Sequence, residues 1–232
     1  MLTLIKSFNQ RLRFTLGGTA FILGFAAINA TLYQLPLYRF AFSELDATSL
    51  PGVLAVLTLF AMVMLLTLMA LFLFALVSQR LLKPLAMFIA FGNSIALYFI
   101  QTYQVVLDKH MMGNVFNTNT AEAASYLHPA FFLHLVLFGV LPIWLISRIT
   151  LKHTSRLRII AALSLSLLLG IGWIYANAQS WFWIDKHARK LGGMIMPWSY
   201  VINSARYQTE KMMQSRILEK LPPAHFVAQG KT

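Results

Sequence analysis

Five long apolar runs separated by short polar stretches organise this chain. They lie at about residues 14–35, 51–77, 85–106, 129–149 and 157–177. Each is close to or above the roughly 20 residues that carry an α-helix across a bilayer, and a span in lipid must satisfy its own backbone hydrogen bonds. The pattern predicts an all-α polytopic membrane protein with five transmembrane helices. The second run is longer than a crossing needs, so it is expected to tilt or to project from the bilayer.

Punctuation within and between the runs refines this. The first contains Gly17, Gly18 and Gly24, which permit close helix approach, and Asn29, whose amide is expected to bond a neighbouring helix. Lys6, Arg11 and Arg13 precede it as in a signal peptide, but further spans follow and it reads as an uncleaved anchor. Residues 36–50 form a first loop with Arg39, Glu44 and Asp46. Arg80 and Lys83 make a basic turn before Pro84, which suits the first turn of the third helix. In the fourth run Gly139 and Pro142 predict a kink, and His134 is expected to hydrogen-bond within the bundle rather than hold a ligand.

The segment 108–127 is polar and sits between the third and fourth runs. If it is helical throughout, Asn114, Thr118 and Glu122 recur every four residues and share one face. That face would present an amide, a hydroxyl and a carboxylate. A second reading competes with it: Asn119 followed by Glu122 has the spacing of a capping box at the start of a new short helix. The two readings are compatible.

Residues 1–179 thus read as a five-helix membrane domain and 180–232 as a bridging segment. Trp181, Phe182 and Trp183 look like an interfacial aromatic belt, and the charges from Asp185 to Lys190 bar that stretch from hydrocarbon. From about 199 to 221 an amphipathic helix sets Ile202, Ala205, Met212, Ile217 and Leu221 against Arg206, Lys211, Arg216 and Lys220. It suits a membrane surface, or a solvated connection to something downstream. Pro222 and Pro223 end it, before a linker-like stretch.

Composition agrees. The 232 residues are 58% hydrophobic and 11% charged, with a formal charge of +12 and a mean hydropathy of +0.66. The cations cluster at the ends of the runs, so they read as topology signals and lipid contacts, and no nucleic-acid partner is expected. With the N-terminus inside, the inner segments hold Lys6, Arg11, Arg13, Arg80, Lys83, Arg148, Lys152, Arg156 and Arg158, against Arg39 and Lys109 in the outer loops. The positive-inside rule places the N-terminus in the cytoplasm, and five spans place segment 108–127 and the C-terminal end on the far side. Cysteine is absent, which excludes disulfides and thiol chemistry. The six histidines make no metal motif, the seven acidic residues no close catalytic pair, and Gly192–Gly193 no phosphate loop.

The residues resemble the inner-membrane phosphoethanolamine transferases of Gram-negative bacteria, the EptA type that includes the mobile colistin-resistance enzymes. Tyr98, Phe99, Thr102, Tyr103, Asp108, Met111, Asn114, Thr118 and Glu122 carry the resemblance at the family's spacing. Asn29, Lys83–Pro84, Gly139 to Pro142 and Met196–Pro197 support it. The resemblance implies a membrane domain, a bridging helix and then a periplasmic catalytic domain with zinc and a threonine nucleophile. That domain is expected to be absent here, so no catalytic or metal-binding residue is assigned, no cofactor is expected in this chain, and the chain alone is expected to be inactive. It further implies lipid-substrate binding by Asn114, Thr118 and Glu122. The lipids would be phosphatidylethanolamine as donor and lipid A or another glycolipid as acceptor. A non-enzymatic transporter subunit or scaffold is the alternative.

Overall fold

The computed structural model of the chain describes residues 14–46 and 48–218, apart from the side chains of 215–218. The expectations for Lys6, Arg11, Arg13, Lys220, Leu221 and the stretch 222–232, and for the side chains of Arg216 and Ile217, lie outside the described residues. The helices in order are α1 (Gly18–Thr31), α2 (Leu35–Glu44), α3 (Leu50–Val77), α4 (Leu82–Tyr103), α5 (Lys109–Asn117), α6 (Thr120–Ser125), α7 (Pro129–Leu135), α8 (Leu141–Arg148), α9 (Arg156–Ala176), α10 (Ala178–Lys186), α11 (Ala188–Gly192) and α12 (Trp198–Leu218). Leu50–Val77, Gln79–Tyr103, Pro129–Ser147 and Arg156–Ala176 are long and apolar enough to cross a membrane. The pair α1 and α2, bent by 48°, makes a fifth crossing if taken as one broken span.

Two boundaries differ from the sequence pattern. The first run does not form one helix to residue 35, and the expected loop 36–50 is helical as far as Glu44. Pro36 sits in the first turn of α2, where its missing N–H costs nothing, and Pro36, Leu37, Phe40 and Ala41 are buried. In the fourth span the irregularity is a π-helical turn, Val136–Val140, just ahead of Pro142 in the first turn of α8. Gly139 lets this turn approach α4, since a Cβ there would stand 2.7 Å from Ser94 Oγ. His134 stacks on Phe138, with ring centroids 4.5 Å apart. Its Nε2 is buried without a partner among the described residues, so the expected hydrogen bond is not made by that nitrogen.

One end of the bundle is knitted by polar contacts that periodicity does not register. Two short strands, β1 (Phe14–Gly17) and β2 (Ile149–Lys152), pair in parallel, a departure from a purely helical chain. Thr154 Oγ1 accepts from the Gly18 N–H at 2.8 Å, and Gln79 exchanges two bonds with the Thr154 backbone. Lys83 Nζ donates to the carbonyls of Ser147 and Ile149, at 2.7 and 2.8 Å. Lys83 thus satisfies carbonyls at the end of a helix.

The core has two parts. The larger joins α1, α3 and α4 around Phe21, Ile22, Phe72 and Leu97. The smaller, around Leu37, Phe40, Leu59 and Val63, takes in Ile184, Leu191, Met194 and Ile195 from beyond the fifth span. The first part of the bridging segment is therefore packed into the bundle rather than peripheral to it. Along α9 most side chains face outward, with Leu157, Leu165, Leu168, Leu169 and Ile171 exposed, as a lipid-facing helix requires.

Candidate functional site

The site is built on the turn that follows α4. Gln104 takes a left-handed conformation, φ 52° and ψ 29°, and turns the chain toward the bridging segment, where Leu107 N–H donates to Gly193 O at 2.9 Å. Glycine suits this close approach, since a Cβ on Gly193 would run into the Val106 side chain. Asp108 then starts α5 by accepting from the Met111 N–H at 2.9 Å, a capping carboxylate at a helix N-terminus.

α5 is held by α12. Phe116 and Tyr207 stack with their rings 5.7 Å apart and 10° from parallel. Asn117 Nδ2 donates to Tyr207 Oη at 2.9 Å and to Gly113 O at 2.8 Å. Lys109 Nζ meets Glu210 Oε2 at 2.5 Å, and Asn203 Nδ2 donates to Leu107 O at 2.7 Å. The face α12 turns to the protein is thus the polar series Ser199, Asn203, Tyr207 and Glu210, while Ile202 and Met212, expected on its apolar face, stay exposed.

A second network fixes the start of α12. Asn93 Nδ2 donates to Asn29 Oδ1 at 2.7 Å. Asn29 Nδ2 donates to Thr67 Oγ1 at 3.0 Å and to Met196 O at 3.2 Å. Gln34 bonds both the carbonyl and the N–H of Met196, and Tyr200 Oη donates to Asn93 Oδ1 at 2.9 Å. Asn29, Gln34 and Asn93 are completely buried, so their mutual satisfaction is what makes burial tolerable. The inter-helix role expected for Asn29 is realised, while Gln34, Asn93 and Tyr200 escaped the sequence pattern because isolated polar residues there do not reveal their partners.

The three residues predicted for the site are placed differently from a single helical face. The helix breaks at Thr118, whose ψ of 129° is extended, and Asn119 caps the next helix by accepting from the Glu122 N–H at 2.9 Å. The return bond of a full capping box, from the Asn119 N–H to the Glu122 carboxylate, is not made. Thr118 Oγ1 donates to Asn114 O at 2.8 Å, so Asn114 and Thr118 stay adjacent, whereas helical periodicity no longer links them to Glu122. The Asn114 and Glu122 side chains are exposed and engaged by no other described residue. They offer an amide, which donates and accepts, and a carboxylate, which only accepts. Asn117 and Tyr207 were missed, although the Gly113-x-x-x-Asn117 spacing places Gly113 and Asn117 on one face of α5.

Among the described residues no group of three or more His, Asp or Glu side chains could hold a metal ion.

Comparison with known proteins places the arrangement. Residues 63–212 match the family described as phosphoethanolamine transferase EptA/EptB. The chain is 36% identical over 194 residues to the phosphoethanolamine transferase EptA of Helicobacter pylori, covering 83% of this chain and 36% of that protein. It is 28% identical over 123 residues to the phosphatidylethanolamine transferase Mcr-1 of Escherichia coli, covering 50% of this chain and 23% of that protein. Its fold is similar to that of the integral membrane lipooligosaccharide phosphoethanolamine transferase EptA of Neisseria meningitidis, with a TM-score of 0.71 at 18% identity over 87% of this chain and 38% of that one. The chain spans about a third of the length of these EptA proteins. With well over half of its residues on the family's pattern, this polytopic chain belongs to the phosphoethanolamine transferase EptA/EptB family and carries its membrane domain.

Proposed function

We propose that this chain is the lipid-binding membrane part of an inner-membrane enzyme that moves phosphoethanolamine from phosphatidylethanolamine to lipid A or a related glycolipid. In this reading the N-terminus is cytoplasmic and the 108–127 segment faces the periplasm. The Asn114 amide hydrogen-bonds headgroup phosphate oxygens, the Thr118 oxygen accepts from the donor lipid, and the Glu122 carboxylate accepts from the ethanolamine ammonium. The observation that carries it is the pair Asn114 and Glu122, both exposed and uncommitted beside a segment that α12 holds in place. The chain positions the donor and anchors a catalytic domain; alone it releases no diacylglycerol.

Native mass spectrometry of the purified chain tests the reading. Phosphatidylethanolamine should be retained in preference to phosphatidylglycerol, and Asn114→Ala and Glu122→Gln should remove the preference. Equal retention of both lipids by the parent chain would count against it.

A further inference from the structure

Beside the turn that starts α5, an open cavity of about 300 Å³ is lined by Val106, Asp108, Lys186, His187, Arg189 and Lys190. This volume is at the lower end of the ~300–1,000 Å³ typical of small-molecule sites. Three cations face one carboxylate, and that carboxylate is already engaged with the Met111 N–H. Lys190 Nζ rests 3.9 Å from the centre of the Phe40 ring, a cation–π contact that orients it. His187 is held by the Trp183 carbonyl at 2.8 Å and lies edge-on to Phe40. Val106 and Asp108, which also line the cavity, flank Leu107, whose N–H donates to Gly193 O.

Lys186, Arg189 and Lys190 follow the fifth span by fewer than 15 residues. In the orientation proposed above they lie on the outer side, where the positive-inside rule disfavours cations so near a span. Topology therefore does not account for them; an anionic ligand does. We infer that this cavity is a subsite for the phosphomonoester of a membrane lipid, with Arg189 and Lys190 as its principal donors. A zwitterionic phosphodiester has no net charge to match the lining, whereas a phosphomonoester carries close to two negative charges at neutral pH and fits a guanidinium and an ammonium together. Asn114 lies six residues along α5 from Asp108, about 9 Å of helix rise. Resting on the proposed function, this assigns the cavity to the phosphate of the acceptor lipid, one helix length from the donor headgroup.

The test uses the chain in nanodiscs of phosphatidylcholine, with phosphatidic acid as the lipid phosphomonoester and inorganic phosphate as the free one. Arg189→Gln/Lys190→Gln should weaken phosphatidic acid binding by about tenfold or more, and Lys186→Gln, which leaves the Phe40 contact intact, should weaken it less. Arg206→Gln/Lys211→Gln removes the same charge from exposed positions on α12 and should leave binding within about twofold of the parent, by the weak effect of screened surface charge. Equal loss in the two double variants, or undiminished binding in the first, would overturn the subsite. Inorganic phosphate binding as tightly as phosphatidic acid would overturn the lipid assignment. Phosphatidylethanolamine retention on the same samples should be unchanged by Arg189→Gln/Lys190→Gln, so the donor reading stands or falls separately.

Discussion

Asn117 donates through its side-chain amide to the hydroxyl of Tyr207, 2.9 Å away, and so links the polar segment 108–127 to the last described helix. Replacing Tyr207 by Phe keeps the stack on Phe116 and removes only this bond, with an expected loss of about 1 kcal/mol. Gly113→Ala should be worse, since its Cβ would stand 2.8 Å from Tyr207 Cε2, and overpacking of this kind costs about 1–3 kcal/mol. Thermal unfolding in detergent, followed by tryptophan fluorescence, checks both.

The ion pair between Lys109 and Glu210 joins the same two helices, but its side chains are 35% and 46% exposed. Exchange of Glu210 for Gln is expected to change stability by less than about 1 kcal/mol, and the difference should shrink in high salt. A large, salt-independent loss would show that the pair is structurally central.

In the buried network, Asn29→Leu leaves the Asn93 amide without its acceptor and removes one of the two donors to the Met196 carbonyl, which keeps Gln34. The expected cost is about 1–2 kcal/mol, combining the usual penalty for an unsatisfied buried group with the modest value of polar contacts in lipid. Because Met196 precedes α12, this variant should also increase protease cleavage near α12, whereas a merely local packing defect would leave the cleavage pattern unchanged.

Asn119 and Glu122 separate capping from ligand binding. Only Asn119 supplies a cap bond, so Asn119→Ala should lower stability by about 1 kcal/mol. Glu122→Gln should leave the melting temperature unchanged and weaken donor-lipid binding by about tenfold to a hundredfold, the loss of one charge-assisted bond.

The spans were legible because hydrophobic length is a property of contiguous residues. The bend between α1 and α2 was not: Gln34 at the break is buried by its bonds to Met196, 162 residues away. The strand pair escaped for the same reason, since Phe14 and Ile149 carry no local signal of their meeting. At the candidate site, the four-residue recurrence of Asn114, Thr118 and Glu122 competed with the cap at Asn119, and the cap prevailed. A short polar segment gains more from satisfying a helix's first N–H groups than from continuing an amphipathic pattern with little to bury.

The most direct measurement joins this chain to the remainder of the Helicobacter pylori relative, replacing the corresponding part of that protein. The readout is phosphoethanolamine transfer from phosphatidylethanolamine to lipid A in reconstituted membranes, by mass spectrometry. The account predicts a folded chimera that modifies lipid A, and a Glu122→Gln chimera that is equally stable but about tenfold to a hundredfold slower. A Glu122→Gln chimera as fast as its parent, or a folded parent chimera that transfers nothing while the intact relative is active, would contradict it.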